Sequence, residues 1–208
     1  MAHKHGLPLI VDTTAVPFTD IDARELGIDV EVLSSTKYIS GGATSLGGLI
    51  LDFGTFKEVN QRIRFEFLFN LGTYMTPQVA YMQTLGLETL NVRYQKQAQN
   101  ALDLAKALQQ LPQVKRVNYP GLSLDKPFGA MLTIDLESEQ KCFDFLNSLR
   151  IIRRATNLFD NKSLAIHPYS TIFVGFTPEE KKQMDIFDTT IRLSMGLEDV
   201  NDLFEDIK

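Results

Sequence analysis

Val30-Glu31-Val32-Leu33-Ser34-Ser35-Thr36-Lys37-Tyr38, followed by Gly41, Gly42, Gly47 and Gly48, is the stretch on which the fold turns. The β-branched run predicts a buried strand. The hydroxyls, lysine and glycines behind it predict a loop where backbone can approach a ligand closely. An anion suits that loop, since Ser34 and Thr36 can donate to phosphate and loop N–H groups can add to them. Lys37 is then a phosphate counter-charge or an amine available for covalent chemistry. A lysine at a strand exit is also commonly a solvated charge, so the flanking sequence has to decide.

Upstream, Pro8-Leu9-Ile10-Val11-Asp12 is an apolar run ending in an acid, the pattern of a parallel strand buried on both faces. Asp12, Thr13 and Thr14 fall at its carboxyl end, where open α/β sheets gather ligands. Ile21 to Leu26 is expected to form a short helix ended by Gly27. Downstream, Gly48-Leu49-Ile50-Leu51-Asp52 predicts a third strand.

Residues 56–67 read as a charged helix and 68–77 as irregular. A long helical region spans residues 77–111, bent near Gly86, with Ala98, Ala101, Leu102, Ala105 and Leu108 on one apolar face. Pro112 stops it. Two domains are expected, 1–111 and 112–208, joined by this helix. Strands are expected at 114–117, 130–136, around Asn157, at 163–167 and at 190–195. Tyr119-Pro120-Gly121 reads as a turn. Helices are expected at 137–149, from a Thr177 cap with Pro178 at the first position, and at 198–207. The second half is then a small α/β domain.

Composition narrows the partners. Of 208 residues 44% are hydrophobic and 23% charged, an ordinary globular balance, and the net charge of −5 leaves no basic footprint for nucleic acid. Cys142 is the sole cysteine, which excludes an intrachain disulfide; within its apolar helical pattern it reads as core. No apolar run reaches membrane-spanning length and the first residues lack a signal-peptide core, so a cytoplasmic address is expected. The G-x-x-x-x-G-K-[ST] and G-x-G-x-x-G phosphate loops are absent, which disfavours a nucleotide-binding domain.

An acid at one strand end, hydroxyls and a lysine at the next, and a later arginine suit pyridoxal phosphate (PLP). That cofactor needs an amine for its aldehyde, an acid for its pyridinium nitrogen and donors for its phosphate. Bland alternatives stand beside each role: Asp12 as a turn cap, Ser34 and Thr36 bonded to loop backbone, Arg192 as a snorkelling surface residue. His167 before Pro168 reads as structural, His3 and His5 as solvated, and Tyr38 as packing.

Several motifs in one order carry a resemblance: PLIVDTT at 8–14, SSTKY at 34–38, GLETL at 86–90 with Arg93, NLFDNKSL at 157–164 with Ile166-His167-Pro168, and TIRLSMGLED at 190–199. Together they resemble the Cys/Met metabolism family of PLP-dependent enzymes over essentially the whole chain, most closely its O-acetylhomoserine sulfhydrylase branch. The resemblance implies the C-terminal part of an aspartate aminotransferase-like large domain plus a small C-terminal α/β domain. It implies PLP, γ-replacement on an O-acyl-homoserine with sulfide, a small amino-acid substrate and a dimer or tetramer. Cystathionine γ-synthase or γ-lyase chemistry is the nearest alternative. In residues, it implies that Lys37 carries the cofactor through an imine bond and moves protons, Asp12 pairs with the ring nitrogen and Thr14 lies beside the ring. Ser34 and Thr36 bind phosphate, and Arg192 with Asn157 holds the substrate carboxylate.

Departures are also legible. Leu33 and Gly42 stand where the family usually has His, and Thr171-Ile172 replaces a Thr-His pair. The family's N-terminal portion, with its own phosphate loop and cofactor-stacking aromatic, has no counterpart here. A sheet with unpaired edges and uncovered apolar faces is expected in consequence, in a fragment or in a non-catalytic subunit that pairs with a separately encoded N-terminal half.

Overall fold

A computed structural model describes residues 1–208. They form two compact units, Met1–Asn91 and Val92–Lys208. The divide falls before the 111/112 boundary expected from sequence, because the apolar face of the long helix packs into the second core.

In the first unit, β1 (Ile10–Asp12), β2 (Val30–Ser34) and β3 (Gly48–Asp52) form a sheet of three strands in that order. β1 and β2 run parallel, with Ile10 opposite Val30 and Asp12 opposite Val32; β3 returns antiparallel. Period-2 alternation puts Ile10, Val30, Val32 and Ile50 on one face, which with Phe56, Val59 and Ile63 lines an apolar hollow of about 260 Å³. That face is only half covered: Ile10 is 59% and Ile50 56% exposed. The expectation that β1 is buried on both faces is thus corrected. β1 is an edge strand, and a continuous apolar run reads the same whether or not something covers it.

The helix expected at 21–26 is absent. Asp22 caps the backbone N–H groups of Arg24 and Glu25, and the chain closes a single turn before Gly27 takes a left-handed φ of 68°. Helix α1 (Lys57–Arg62) continues into a π-helical stretch, Ile63–Phe69. Helix α2 (Pro77–Glu88) starts with a Thr76 cap on Val79 N–H and Pro77 at its first position. It ends at Thr89, so the break falls after Gly86.

His3, expected to be solvated, donates through Nε2 to Asp29 at 2.7 Å. Asp29 also accepts from Leu9 N–H at 2.7 Å and from the Thr55 hydroxyl at 2.8 Å. These donors, the Leu9 N–H foremost, lower its pKa to about 2. A depressed carboxylate stabilises the fold above its unfolded value near 4, and that stability is lost as pH falls through about 2. Asp29→Asn is accordingly expected to flatten the melting temperature of the first unit across that acid window while changing it little with pH near neutrality; unchanged acid sensitivity would contradict the assignment.

In the second unit, β4 (Arg116–Asn118), β5 (Met131–Asp135), β6 (Arg153–Arg154), β7 (Leu164–Ile166) and β8 (Thr190–Ser194) form a sheet in the order β4-β5-β8-β7-β6. Tyr119-Pro120-Gly121 opens a short helix, α4 (Pro120–Leu124), where a plain turn was expected, with Pro at its first position. Helices α3 (Leu90–Leu108), α5 (Glu139–Ser148) and α7 (Val200–Ile207) supply Ala101, Leu104, Leu108, Cys142, Leu146 and Leu203 to one core with Leu132, Ile134, Ile191 and Leu193 of the sheet. Burying each large aliphatic is worth about 1.5–3 kcal/mol, and a one-residue slip would turn the whole set outward, so this core fixes the register. Burial pushes the Cys142 thiol up to about 12, and it behaves as packing rather than as a nucleophile. Helix α6 (Pro178–Gln183) carries a capping box between Thr177 and Glu180.

Candidate cofactor and substrate site

The parallel register of β1 and β2 sets their carboxyl ends side by side. There Thr13 N–H donates to Val32 O at 3.0 Å, extending the ladder by one bond. Thr14 N–H donates to Asp12 Oδ1 at 2.9 Å, and Ser34 N–H donates to Thr14 Oγ1 at 2.8 Å. Asp12, Thr14 and Ser34 are therefore tied into one chain of hydrogen bonds, with Asp12 exposed and its Oδ2 clear of the Thr14 contact. Behind them the Thr13 hydroxyl donates to buried Glu31 at 2.5 Å, anchoring the strand ends from the other face.

Lys37 follows within one turn, its N–H donating to Ser34 O at 3.3 Å. Tyr38 and Ile39 are buried, and the Ser40 hydroxyl donates to Thr36 O at 2.6 Å, so half-buried Lys37 sits on a turn anchored at both ends. Thr36 is engaged with loop backbone: its Oγ1 accepts from Gly47 N–H at 3.0 Å and donates to Gly47 O at 3.3 Å. The second contact is long for a hydroxyl donor, which leaves that proton the easier of the two to redirect.

Helix α2 backs this turn. A Cβ on Gly86 would stand 1.9 Å from Ile39 O and 3.1 Å from Ser40 C, so the helix touches the lysine loop backbone directly and only glycine fits. GLETL was legible as a motif, but this packing reason for its glycine was not.

In the second unit Arg192 lies on the sheet face opposite the helical core, between Thr133 and Ile166 in register. It is 9% exposed, not a surface residue, and its Nη2 donates to Thr156 O at 2.8 Å and Asn157 O at 3.0 Å. Its Nε is buried without a partner. Burial lowers its pKa, yet a guanidinium stays charged, so an unpaired donor of fixed geometry remains. His167 is structural as expected: its ring nitrogens contact Ser170 Oγ and Asp188 O, both at 2.8 Å.

A half-buried lysine, a carboxylate and two hydroxyl residues stand together at the open end of a parallel strand pair, groups of the kind that an anionic carbonyl cofactor requires. The sequence matches the Cys/Met metabolism PLP-dependent enzyme family over residues 1–208, and the chain belongs to that family. Solved structures share its fold, two of them as follows. An O-acetylhomoserine sulfhydrylase of Wolinella succinogenes is 40% identical with a TM-score of 0.81 over 99% of this chain and 64% of its own. A protein of Campylobacter jejuni assigned as an O-acetylhomoserine (thiol)-lyase, which carries a pyridoxyl-lysine, is 30% identical with a TM-score of 0.93 over 99% of this chain and 59% of its own. The L-methionine gamma-lyase of Pseudomonas putida is 34% identical over all of this chain and 54% of its length. The chain thus spans little more than half the length of the curated relatives it matches, and its fold is that of the aspartate aminotransferase-like PLP enzymes. The donor set fits PLP: an amine on an anchored turn, a carboxylate with one oxygen clear of its cap, and the Ser34 and Thr36 hydroxyls.

Proposed function

We propose that this chain supplies the lysine-bearing half of a PLP-dependent enzyme performing γ-replacement on an O-acyl-homoserine, giving homocysteine from O-acetylhomoserine and sulfide. The reading rests on one observation: the hydrogen-bonded series Asp12–Thr14–Ser34 with Lys37 one turn beyond. PLP, when bound, supplies an aldehyde for amines and a ring that stabilises negative charge on carbon. Asp12 would hold the ring nitrogen through Oδ2 and favour its protonated form, and Thr14 would lie beside the ring. Ser34 and Thr36 donate to the phosphate, Thr36 by turning its proton away from Gly47 O. Lys37 Nζ holds the cofactor and then takes and returns protons at substrate carbon. Arg192 gives its Nε–H to the substrate α-carboxylate, with Asn157 and Thr156 holding the guanidinium in plane.

The test is sulfide-dependent homocysteine formation from O-acetylhomoserine by the chain with PLP, assayed alone and with a separately expressed N-terminal portion of a relative. Homocysteine in either arm supports the reading, and none in both overturns it. γ-Elimination is the second reading, favoured by the 34% identity to methionine gamma-lyase; it would give a 2-oxoacid without sulfide. In whichever assay is active, Arg192→Lys is expected to raise the amino-acid KM roughly 10- to 100-fold, the value of about 1.5–3 kcal/mol for a charge-assisted bond, with a smaller change in kcat. An unchanged KM would remove Arg192 from carboxylate binding.

A further inference from the structure

Two buried polar groups beside the lysine turn have no partner. Ser35 is 0% and Gln83 4% exposed, and Ser35 Oγ and Gln83 Nε2 each lack a hydrogen bond. They belong to different elements: Ser35 sits between Ser34 and Thr36, whereas Gln83 is on α2, one turn before Gly86. Both converge on Gly47, where an added Cβ would lie 2.6 Å from Ser35 Oγ and 2.6 Å from Gln83 Nε2, with Met75 Cε at 2.8 Å. Gly47 is also the residue whose N–H and O hold the Thr36 hydroxyl. A donor and a hydroxyl thus face one another across a backbone without a side chain, at the point where the turn is fastened.

Leaving such groups unmade is costly, and replacing both by apolar groups of similar shape is often neutral or stabilising. Two such groups brought to one point of a packed interior call for an explanation. We propose that Ser35 and Gln83 are a positioning pair: the carboxamide N–H of Gln83 donates to Ser35 Oγ when the Thr36 hydroxyl releases Gly47 O for a phosphate oxygen. This latches the Lys37 turn to α2 in its cofactor-holding position. The inference rests on the PLP reading above and adds residues that reading does not use. The partner that drives the change is the phosphate group, so a phosphate-free aldehyde does not engage the pair.

The test uses Ser35→Ala, Gln83→Met and the double variant of the whole chain, read by melting temperature without cofactor and by PLP affinity from visible absorbance. Loss of the orphaned groups is expected to raise the melting temperature by a few degrees in the double variant, while PLP affinity falls about tenfold. Each single variant should lose as much affinity as the double, because one contact is broken in all three. A packing role would move stability and affinity in the same direction, and that result, additive losses, or unchanged affinity overturns the pair. Pyridoxal lacking the phosphate should bind all four proteins alike; a preference there also overturns it. Hydrogen exchange of residues 35–41 with inorganic phosphate separates the two readings. Slowing by phosphate in the parent chain but not in the variants supports the latch even if no PLP band forms, in which case the cofactor reading alone falls.

Discussion

Lys37→Ala is expected to abolish the visible absorbance band expected of the parent chain with PLP, and with it nearly all turnover. Alanine offers no nucleophile, and Tyr38, Ile39 and the Ser40–Thr36 bond hold the turn closed, so no neighbour swings in to replace the amine. Borohydride reduction followed by peptide mapping checks this independently of activity, since the cofactor's mass should be fixed on the peptide containing Lys37. A band that survives the substitution, or a tag on Lys57 or Lys96, would show that the amine at this site has been misidentified. Roughly 10³-fold or greater loss in kcat is expected where activity is measurable, since in the proposed function this residue both holds the cofactor and moves protons.

Gly86→Ala is expected to have the largest effect on stability. Helix propensity alone favours alanine in α2 by about 1 kcal/mol. The clash opposes it: a Cβ 1.9 Å from Ile39 O must push helix and lysine loop apart, and the acceptor is backbone, with no rotamer to yield. Overpacking costs typically about 1–3 kcal/mol and occasionally more, and contact with an anchored carbonyl belongs at the upper end. The net is a loss of about 2 kcal/mol or more in the first unit. Urea unfolding followed by hydrogen exchange separately in residues 1–91 and 92–208 measures it. Equal or greater stability of the first unit would mean that α2 does not rest on the loop.

The contrast between these positions shows what was legible in the sequence. The placement of Asp12, Thr14 and Ser34 at adjoining strand ends, with Lys37 on the turn beyond, was readable because strand period, a parallel run and a turn are local properties, and register then brings the strand ends together. Thr36 is bonded to loop backbone, the alternative weighed beside its phosphate reading, but its particular partner, the Gly47 N–H eleven residues on, was not readable. Gly86 looked like a bend. The helix breaks instead at Thr89, and the glycine serves a close approach that propensity cannot register. Ser35 and Gln83 carried no signal, since being buried without a partner exists only after folding. Arg192 was ambiguous between snorkelling and burial until the β8 register placed it between two interior strands. The strands expected at 130–136, 163–167 and 190–195 are present because alternation or an apolar run marks them, whereas the strand expected around Asn157 is absent: residues 155–160 carry none, and the two-residue β6 lies earlier, at Arg153–Arg154. The 21–26 helix is reduced to a single turn, capped by Asp22 and ended by the left-handed Gly27.

The half-covered face of the three-stranded sheet bears on how the chain behaves in bulk. Ile10 and Ile50 look outward, and β1 and β3 each end the ladder with unshared amides and carbonyls. Crowding then decides how much of the protein stays in solution: in dilute samples the sticky flank meets only water, whereas at high expression it meets its own kind. A polar replacement at Ile50 is expected to lower turbidity on concentration by removing one of several exposed apolar surfaces of the chain.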